Sequence, residues 1–190
     1  MFAFKKKYFL IIENIKDIEL KNIKILNKFS IIYRNFSKPA KIEELLRFRM
    51  ICKRKKVDFY VSNNLKLAVN LKADGLYISA NNNDLSLNKL KNIRLKIIGS
   101  AHNIKEVNIK LLQGCSNILF SRLFKTSYKS KPDFLGIIKY NLLPAIVKNR
   151  LTPLGGIRLS NLNKLKMVGS NSFALLSEVK KKPAITSRLF

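Results

Sequence analysis

Gly155 and Gly156 stand side by side, and Ser177 follows 21 positions after Gly156. Two adjacent glycines let backbone N–H groups come close to an anion, because no Cβ blocks the approach. A serine hydroxyl at the start of a helix adds a further donor and the positive end of the helix dipole. The chemistry such a set could do is phosphate binding, provided that the chain brings Leu154-Gly155-Gly156-Ile157 and Leu175-Leu176-Ser177-Glu178 together. His102 is the single histidine. Histidine is the side chain best suited to proton transfer near neutral pH, although a lone one also serves as a hydrogen-bonded structural group. Cys52 and Cys115 lie in no CxxC or histidine-rich context, which points to packed or free thiols and not to a metal site or a bridge.

These residues need elements to position them. Short apolar runs recur at Tyr8–Ile12, Phe29–Tyr33, Asp58–Val61, Gly75–Ser79, Lys96–Ser100, Asn117–Ser121, Arg150–Leu154 and Ser172–Ser177. They are continuous and not alternating, as expected of strands buried on both faces of a parallel sheet. Between them, Ile42, Leu45, Leu46, Arg49 and Met50 suit one helix face. Ile104, Val107, Leu111 and Leu112 suit another, with Asn103 as N-cap. A third helix starts at Ser160-Asn161-Leu162, with Gly169 as its stop. Strands alternating with helices pair in parallel through right-handed crossovers, and eight such units close a barrel. The expectation is one small α/β domain over residues 1–190, a (β/α)8 TIM barrel with a parallel eight-stranded sheet. Lys180-Lys181-Lys182-Pro183 marks a charged tail. The rival, a doubly wound open sheet that binds a dinucleotide, lacks a GxGxxG after the first strand. In a barrel the C-terminal strand ends carry function, and the loops after strands seven and eight commonly hold phosphate. Gly155, Gly156 and Ser177 fall there.

Length and composition agree with this. The chain has 190 residues, 47% of them hydrophobic, enough for one core. No apolar run approaches the roughly 20 residues that span a bilayer. Tyr8–Ile12 is shorter than the core of a signal peptide, so a cytoplasmic protein without membrane association is expected. The formal charge of +27 could favour a polyanion, but the lysines are spread over nearly every segment. They read as solvated helix faces in a basic protein, with a phosphorylated ligand preferred over nucleic acid as partner.

Several segments in order resemble the thiamine-phosphate synthase/TenI family. Gly155-Gly156-Ile157-Arg158-Leu159-Ser160-Asn161 followed by Gly169-Ser170-Asn171-Ser172-Phe173-Ala174-Leu175-Leu176-Ser177 is similar to the family's closing GGI-x-x-x-N and G-A-D-G-V-A-V-x-S. Phe124-Lys125-Thr126-Ser127-Tyr128-Lys129 resembles its P-T-x-T-K loop. Ile98-Gly99-Ser100-Ala101-His102, with Glu106, resembles its G-x-S-x-H-x-x-x-E, and Ala73-Asp74-Gly75-Leu76-Tyr77-Ile78 its A-D-G-V-H-L. The likeness covers about residues 28 to 180. It implies that Gly156 and Ser177 hold a thiazole phosphate. It also implies that Arg34, Thr126 and Lys129 contact a pyrimidine pyrophosphate, and that His102 serves thiazole tautomerisation as in TenI-type proteins. A surface ion pair of Arg34 with Glu43 or Glu44 is the plain alternative for that residue.

The departures are informative. Family synthases carry Gln and Lys around the arginine after strand two; here Ile32 and Phe36 stand there. Their metal site uses an Asp after strand three and another after strand four; here Asn63 and Asn82 occupy those positions. An amide oxygen brings no charge, and Mg2+ favours carboxylates together with substrate phosphates. Asp84 is the one nearby carboxylate that could substitute. The expectation is therefore a TenI-like enzyme of thiamine biosynthesis, working on a phosphorylated thiazole with no cofactor and no tight Mg2+ site. Its alternatives are a synthase joining the two thiamine precursors, and a non-catalytic binder of a phosphorylated ligand or nucleic acid. Oligomerisation is left open.

Overall fold

The computed structural model describes residues 7–23, 25–35, 40–87, 94–126 and 133–181, with Lys180 and Lys181 described by backbone alone. The strands are β1 (Lys7–Ile12), β2 (Phe29–Tyr33), β3 (Asp58–Ser62), β4 (Gly75–Ile78), β5 (Lys96–Ala101), β6 (Asn117–Ser121), β7 (Leu151–Leu154) and β8 (Ser172–Leu175). The helices are α1 (Ile42–Arg54), α2 (Leu65–Asn70), α3 (Ile104–Leu112), α4 (Gly136–Asn141), α5 (Ala145–Lys148) and α6 (Ser177–Lys181). The strands close in sequence order into a barrel, each parallel to its neighbours, and β1 pairs with β8 through Tyr8–Phe173 and Leu10–Leu175. This is the (β/α)8 TIM barrel that the spacing of apolar runs predicts.

Strands buried on both faces need two sets of apolar side chains, which is why their sequences run apolar throughout. Ile11, Ile32, Tyr60, Tyr77, Ile98 and Leu119 fill the barrel interior. The alternate residues, such as Leu10, Ile31, Phe59 and Ile118, pack outward under the helices. At the N-terminal end the interior turns polar and closes. Lys7 Nζ reaches Asp58 Oδ2 at 2.8 Å, and Thr152 Oγ1 bonds to Asn117 Oδ1 at 2.9 Å and to Ser172 Oγ at 2.6 Å. A pocket lies at the opposite, C-terminal rim.

Three local expectations change. In α1 the buried stripe is Leu45, Phe48, Arg49 and Cys52, whereas Ile42, Leu46 and Met50 face outward. The stripe is set by Arg49, whose Nη2 meets Asp74 Oδ1 at 2.8 Å beneath β4. In α3 Asn103 caps as expected, accepting from Glu106 N at 2.9 Å, but the buried residues are Val107 and Lys110, with Ile104 and Leu112 exposed. The segment begun at Ser160 is a 3-10 helix from Leu159 to Met167 and not an α-helix. Cys52 and Cys115 are free and buried, and burial pushes both thiols up to about 12. Among the described residues no helix is long and apolar enough to cross a membrane. The expected charged tail from Lys182 onward lies outside the described residues.

Candidate active site

Parallel topology puts every β-strand's C-terminal end on one rim. Arg34 follows β2, Asn63 follows β3, His102 follows β5, Thr126 lies on the loop after β6, Gly156 follows β7, and Ser177 follows β8. Lys129 and Phe36, named from the sequence, lie outside the described residues.

The glycine pair forms a tight turn directly after β7. Gly155 and Gly156 both have positive φ, 92° and 69°, a backbone that L side chains rarely adopt. Gly156 packs against the loop after β6: a Cβ there would stand 2.6 Å from Lys125 O. Its own carbonyl accepts from Asn161 Nδ2 at 2.8 Å, so the asparagine of the closing motif fixes this turn. Ser177 is exposed at the first position of α6, directly after β8.

A pocket of about 290 Å³ opens beside β5 and β6, lined by His102, Ser121, Arg122, Asp133, Phe134 and Lys139 among others. His102 is exposed to it, and its backbone N–H donates to Glu106 Oε2 at 2.7 Å, which ties the residue to the first turn of α3. His102 does not stand opposite the glycine pair; β6 alone separates β5 from β7. Arg122 occupies that gap. Its Nη1 donates to Thr126 Oγ1 at 3.1 Å, and its aliphatic part covers Gly155. Neither Arg122 nor Lys139 was singled out from the sequence, although a cation directly after strand six, at the functional rim, was a legible signal.

Arg34 meets a different carboxylate from those the sequence offers. Its Nη2 lies 3.9 Å from Glu13 Oε1, just past β1, whereas Glu43 and Glu44 open α1. The Ser100 hydroxyl and the Arg34 guanidinium both favour the ionised form of the Tyr77 hydroxyl inside the barrel. Burial raises the Tyr77 phenol above its ordinary range, and those two contacts only partly oppose it, so it is a neutral group at the base of the mouth.

Asn63 and Asn82 come together across the ends of β3 and β4. Asn63, itself at φ 52°, accepts from Ser79 N at 3.0 Å and donates to Ser79 Oγ at 2.8 Å. Asn82 Nδ2 lies 3.5 Å from Asn63 Oδ1, and Asn82 Oδ1 accepts from Asp84 N at 3.0 Å. Both amide oxygens are thus engaged by N–H donors, and one amide NH2 points at the other's oxygen. This donor set does not fit a divalent cation, which needs anionic oxygens converging with free lone pairs. Asp84 is exposed and directs Oδ1 to Ser86 N at 2.9 Å, a local turn bond.

A sealed parallel barrel with a glycine turn after β7 and a polar pocket at the C-terminal rim defines the class: a (β/α)8 barrel with its site built from the loops after the strands. The family model described as thiamine monophosphate synthase matches residues 14–179, and the chain belongs to that family. It is 28% identical over 170 residues to the thiamine-phosphate synthase of Prochlorococcus marinus strain AS9601, covering 89% of this chain and 48% of that protein. It is 27% identical over 153 residues to the thiamine-phosphate synthase of Pelagibacter ubique, covering 78% and 73%. The chain spans about half the length of the first of these relatives. In fold it is similar to the thiamine phosphate pyrophosphorylase of Pyrococcus furiosus, with a TM-score of 0.67, 15% identity and coverage of 96% and 93%.

Proposed function

We propose that this chain is a TenI-like member of the family that binds a phosphorylated thiazole and moves a proton on its ring without a metal ion. The observation that carries the reading is the Asn63–Asn82 pair, hydrogen-bonded where the resemblance places metal-binding aspartates. A synthase must stabilise a departing pyrophosphate, and neutral amides supply neither the charge nor the coordination for that. Tautomerisation releases no such group. It needs an anchor for the phosphate and one group that takes a proton from a ring carbon and returns it to another.

In this reading the phosphate sits on the N–H groups of the Gly155–Gly156 turn and the Ser177 hydroxyl. The small size of the glycine turn and its positive φ support that placement. Anchoring fixes the ring, so that only the proton transfer remains to be catalysed. His102 is the proton carrier: it lines the pocket, and its backbone is held by Glu106. A second reading, a synthase joining hydroxymethylpyrimidine pyrophosphate to thiazole phosphate, is favoured by the names of the relatives. In it Arg34, Thr126 and Lys129 would hold the pyrophosphate.

The experiment offers the protein the thiazole carboxylate phosphate in chelator-treated buffer and follows isomer exchange. A parallel reaction offers both thiamine precursors with Mg2+. Metal-independent isomer exchange is expected; robust Mg2+-dependent formation of thiamine phosphate would establish the synthase instead.

A further inference from the structure

Lys110 is the least expected residue in the interior. It lies on α3, is 0% exposed, and points to the mouth from behind. Its Nζ donates to Asn82 O and, at 2.9 Å, to Gln113 Oε1. Gln113 is also fully buried, and its Nε2 donates to Asn82 O at 2.9 Å and to Asp84 O at 3.0 Å. Two side chains from the end of α3 thereby hold two carbonyls of the loop after β4, the loop that carries Asn82. The lysine has room because residue 99 is glycine. A Cβ on Gly99 would lie 2.9 Å from Lys110 Cδ and 2.9 Å from Cys115 Sγ. A glycine within a buried strand often marks such a close approach.

A buried ammonium is costly unless oxygen acceptors surround it. Here the acceptors are the carbonyl of the loop and the amide of Gln113. We propose that Lys110 is a positioning residue that takes over the structural part of a metal ion's role: a fixed internal cation draws in the loop after β4 and presents the Asn82 amide to Asn63. Aspartates at 63 and 82 would hold a divalent ion by their carboxylates. In this chain the cation comes from the core and acts on a backbone carbonyl, so aspartates at 63 and 82 are not required to shape the mouth. The inference rests on the correspondence of Asn63 and Asn82 to the family's metal positions. It does not rest on which reaction is catalysed.

The same geometry predicts antagonism between Lys110 and a metal. Its ammonium lies directly behind Asn82, where one positive charge weakens the binding of another. The test uses Mn2+ alone as probe, with Asn63→Asp/Asn82→Asp compared with the same protein carrying Lys110→Met. Removing the ammonium is expected to tighten Mn2+ binding about tenfold or more, since like charges a few ångströms apart in a partly desolvated site repel strongly. Unchanged or weaker binding in the triple variant overturns the antagonism, while the clamp itself stands or falls on amide exchange in the loop after β4.

Two further measurements need no aspartate. In Lys110→Met, amide exchange over residues 79–87 should accelerate about tenfold, with β5 and β6 within about twofold, as local unfolding predicts when a loop loses its anchor. Unaltered exchange in that loop counts against the clamp. In the unmodified protein with 15N-labelled lysine, one Nζ signal should exchange slowly with water, as a buried hydrogen-bonded ammonium must. If none does, the proposal falls, whether or not Lys110→Met folds. No turnover is read in any arm, so failure of the tautomerase assay and failure of this proposal are separate results.

Discussion

The side chain of Arg122 lies across the Cα of Gly155: a Cβ on that glycine would stand 2.9 Å from Arg122 Cγ and 3.2 Å from Arg122 Cα. The contact continues as a short ladder, with Leu123 N donating to Leu154 O at 2.9 Å and Phe124 N to Gly155 O at 3.0 Å. The loop after β6 is therefore seated on the turn after β7. The absence of a Cβ at Gly155 is what admits the neighbouring backbone so closely.

For that reason Gly156→Ala should do more than obstruct a ligand. The positive φ and the approach of Lys125 O together should lower stability by about 1–3 kcal/mol. A thermal melt measures that loss. Calorimetric titration with the phosphorylated thiazole, at a temperature where both proteins are folded, should show weaker binding as well. Gly156→Val, being bulkier and β-branched, should show both effects more strongly. Affinity equal to that of the unmodified protein would place the phosphate elsewhere.

His102→Asn should reduce isomer exchange by about 10²- to 10⁴-fold, the usual contribution of a general acid–base group. Affinity for the phosphorylated thiazole should stay within a few-fold, because the proposed anchor is at β7 and β8 and not at β5. Full rate in the variant, or joint loss of rate and binding, would make His102 a structural residue.

Asp74, from the Ala73-Asp74-Gly75 segment, carries no chemistry in this structure. It accepts from Phe59 N at 2.7 Å and from Arg49 Nη2 at 2.8 Å, stitching β3, β4 and α1 together below the rim. Asp74→Ala should cost about 1–3 kcal/mol through the donors it strands, most of all the Arg49 charge. Chemical denaturation measures this. Binding of the phosphorylated thiazole by the folded fraction should be unaffected.

Asp58 gives the protein a defined acid sensitivity. Burial alone would raise its pKa, but the hydrogen bond and charge of Lys7, the charge of Lys96 and the Ser30 hydroxyl outweigh it and hold the carboxyl below its ordinary range. A carboxylate with a depressed folded-state pKa adds stability that is fully present above the unfolded value, about 3.9, and is lost as the pH falls through the lower folded value. Asp58→Asn should be less stable near neutrality, and its denaturation midpoint should fall less steeply on acidification below about pH 4. Parallel slopes for the two proteins would show that Lys7 and Lys96 do not act on stability through Asp58.

The sequence by itself determined what depends on neighbours along the chain. Continuous apolar runs separated by helical segments specify a parallel sheet, because strands buried on both faces leave no polar alternation, and eight such units can close it into a barrel. Asn103 caps α3 by a bond spanning three residues. The Gly155–Gly156 pair marks a turn through its own backbone freedom. Local rules could not decide matters between distant segments. Apolar spacing alone offered Leu112 and not Lys110 to the core of α3, since a long cationic side chain enters a core only where a remote glycine leaves space and a remote carbonyl accepts its protons. The pairing of Asn63 with Asn82, of Arg34 with Glu13 and of Arg122 with Gly155 likewise joins residues on different strand ends. Barrel closure sets those distances, and no period in the sequence encodes them.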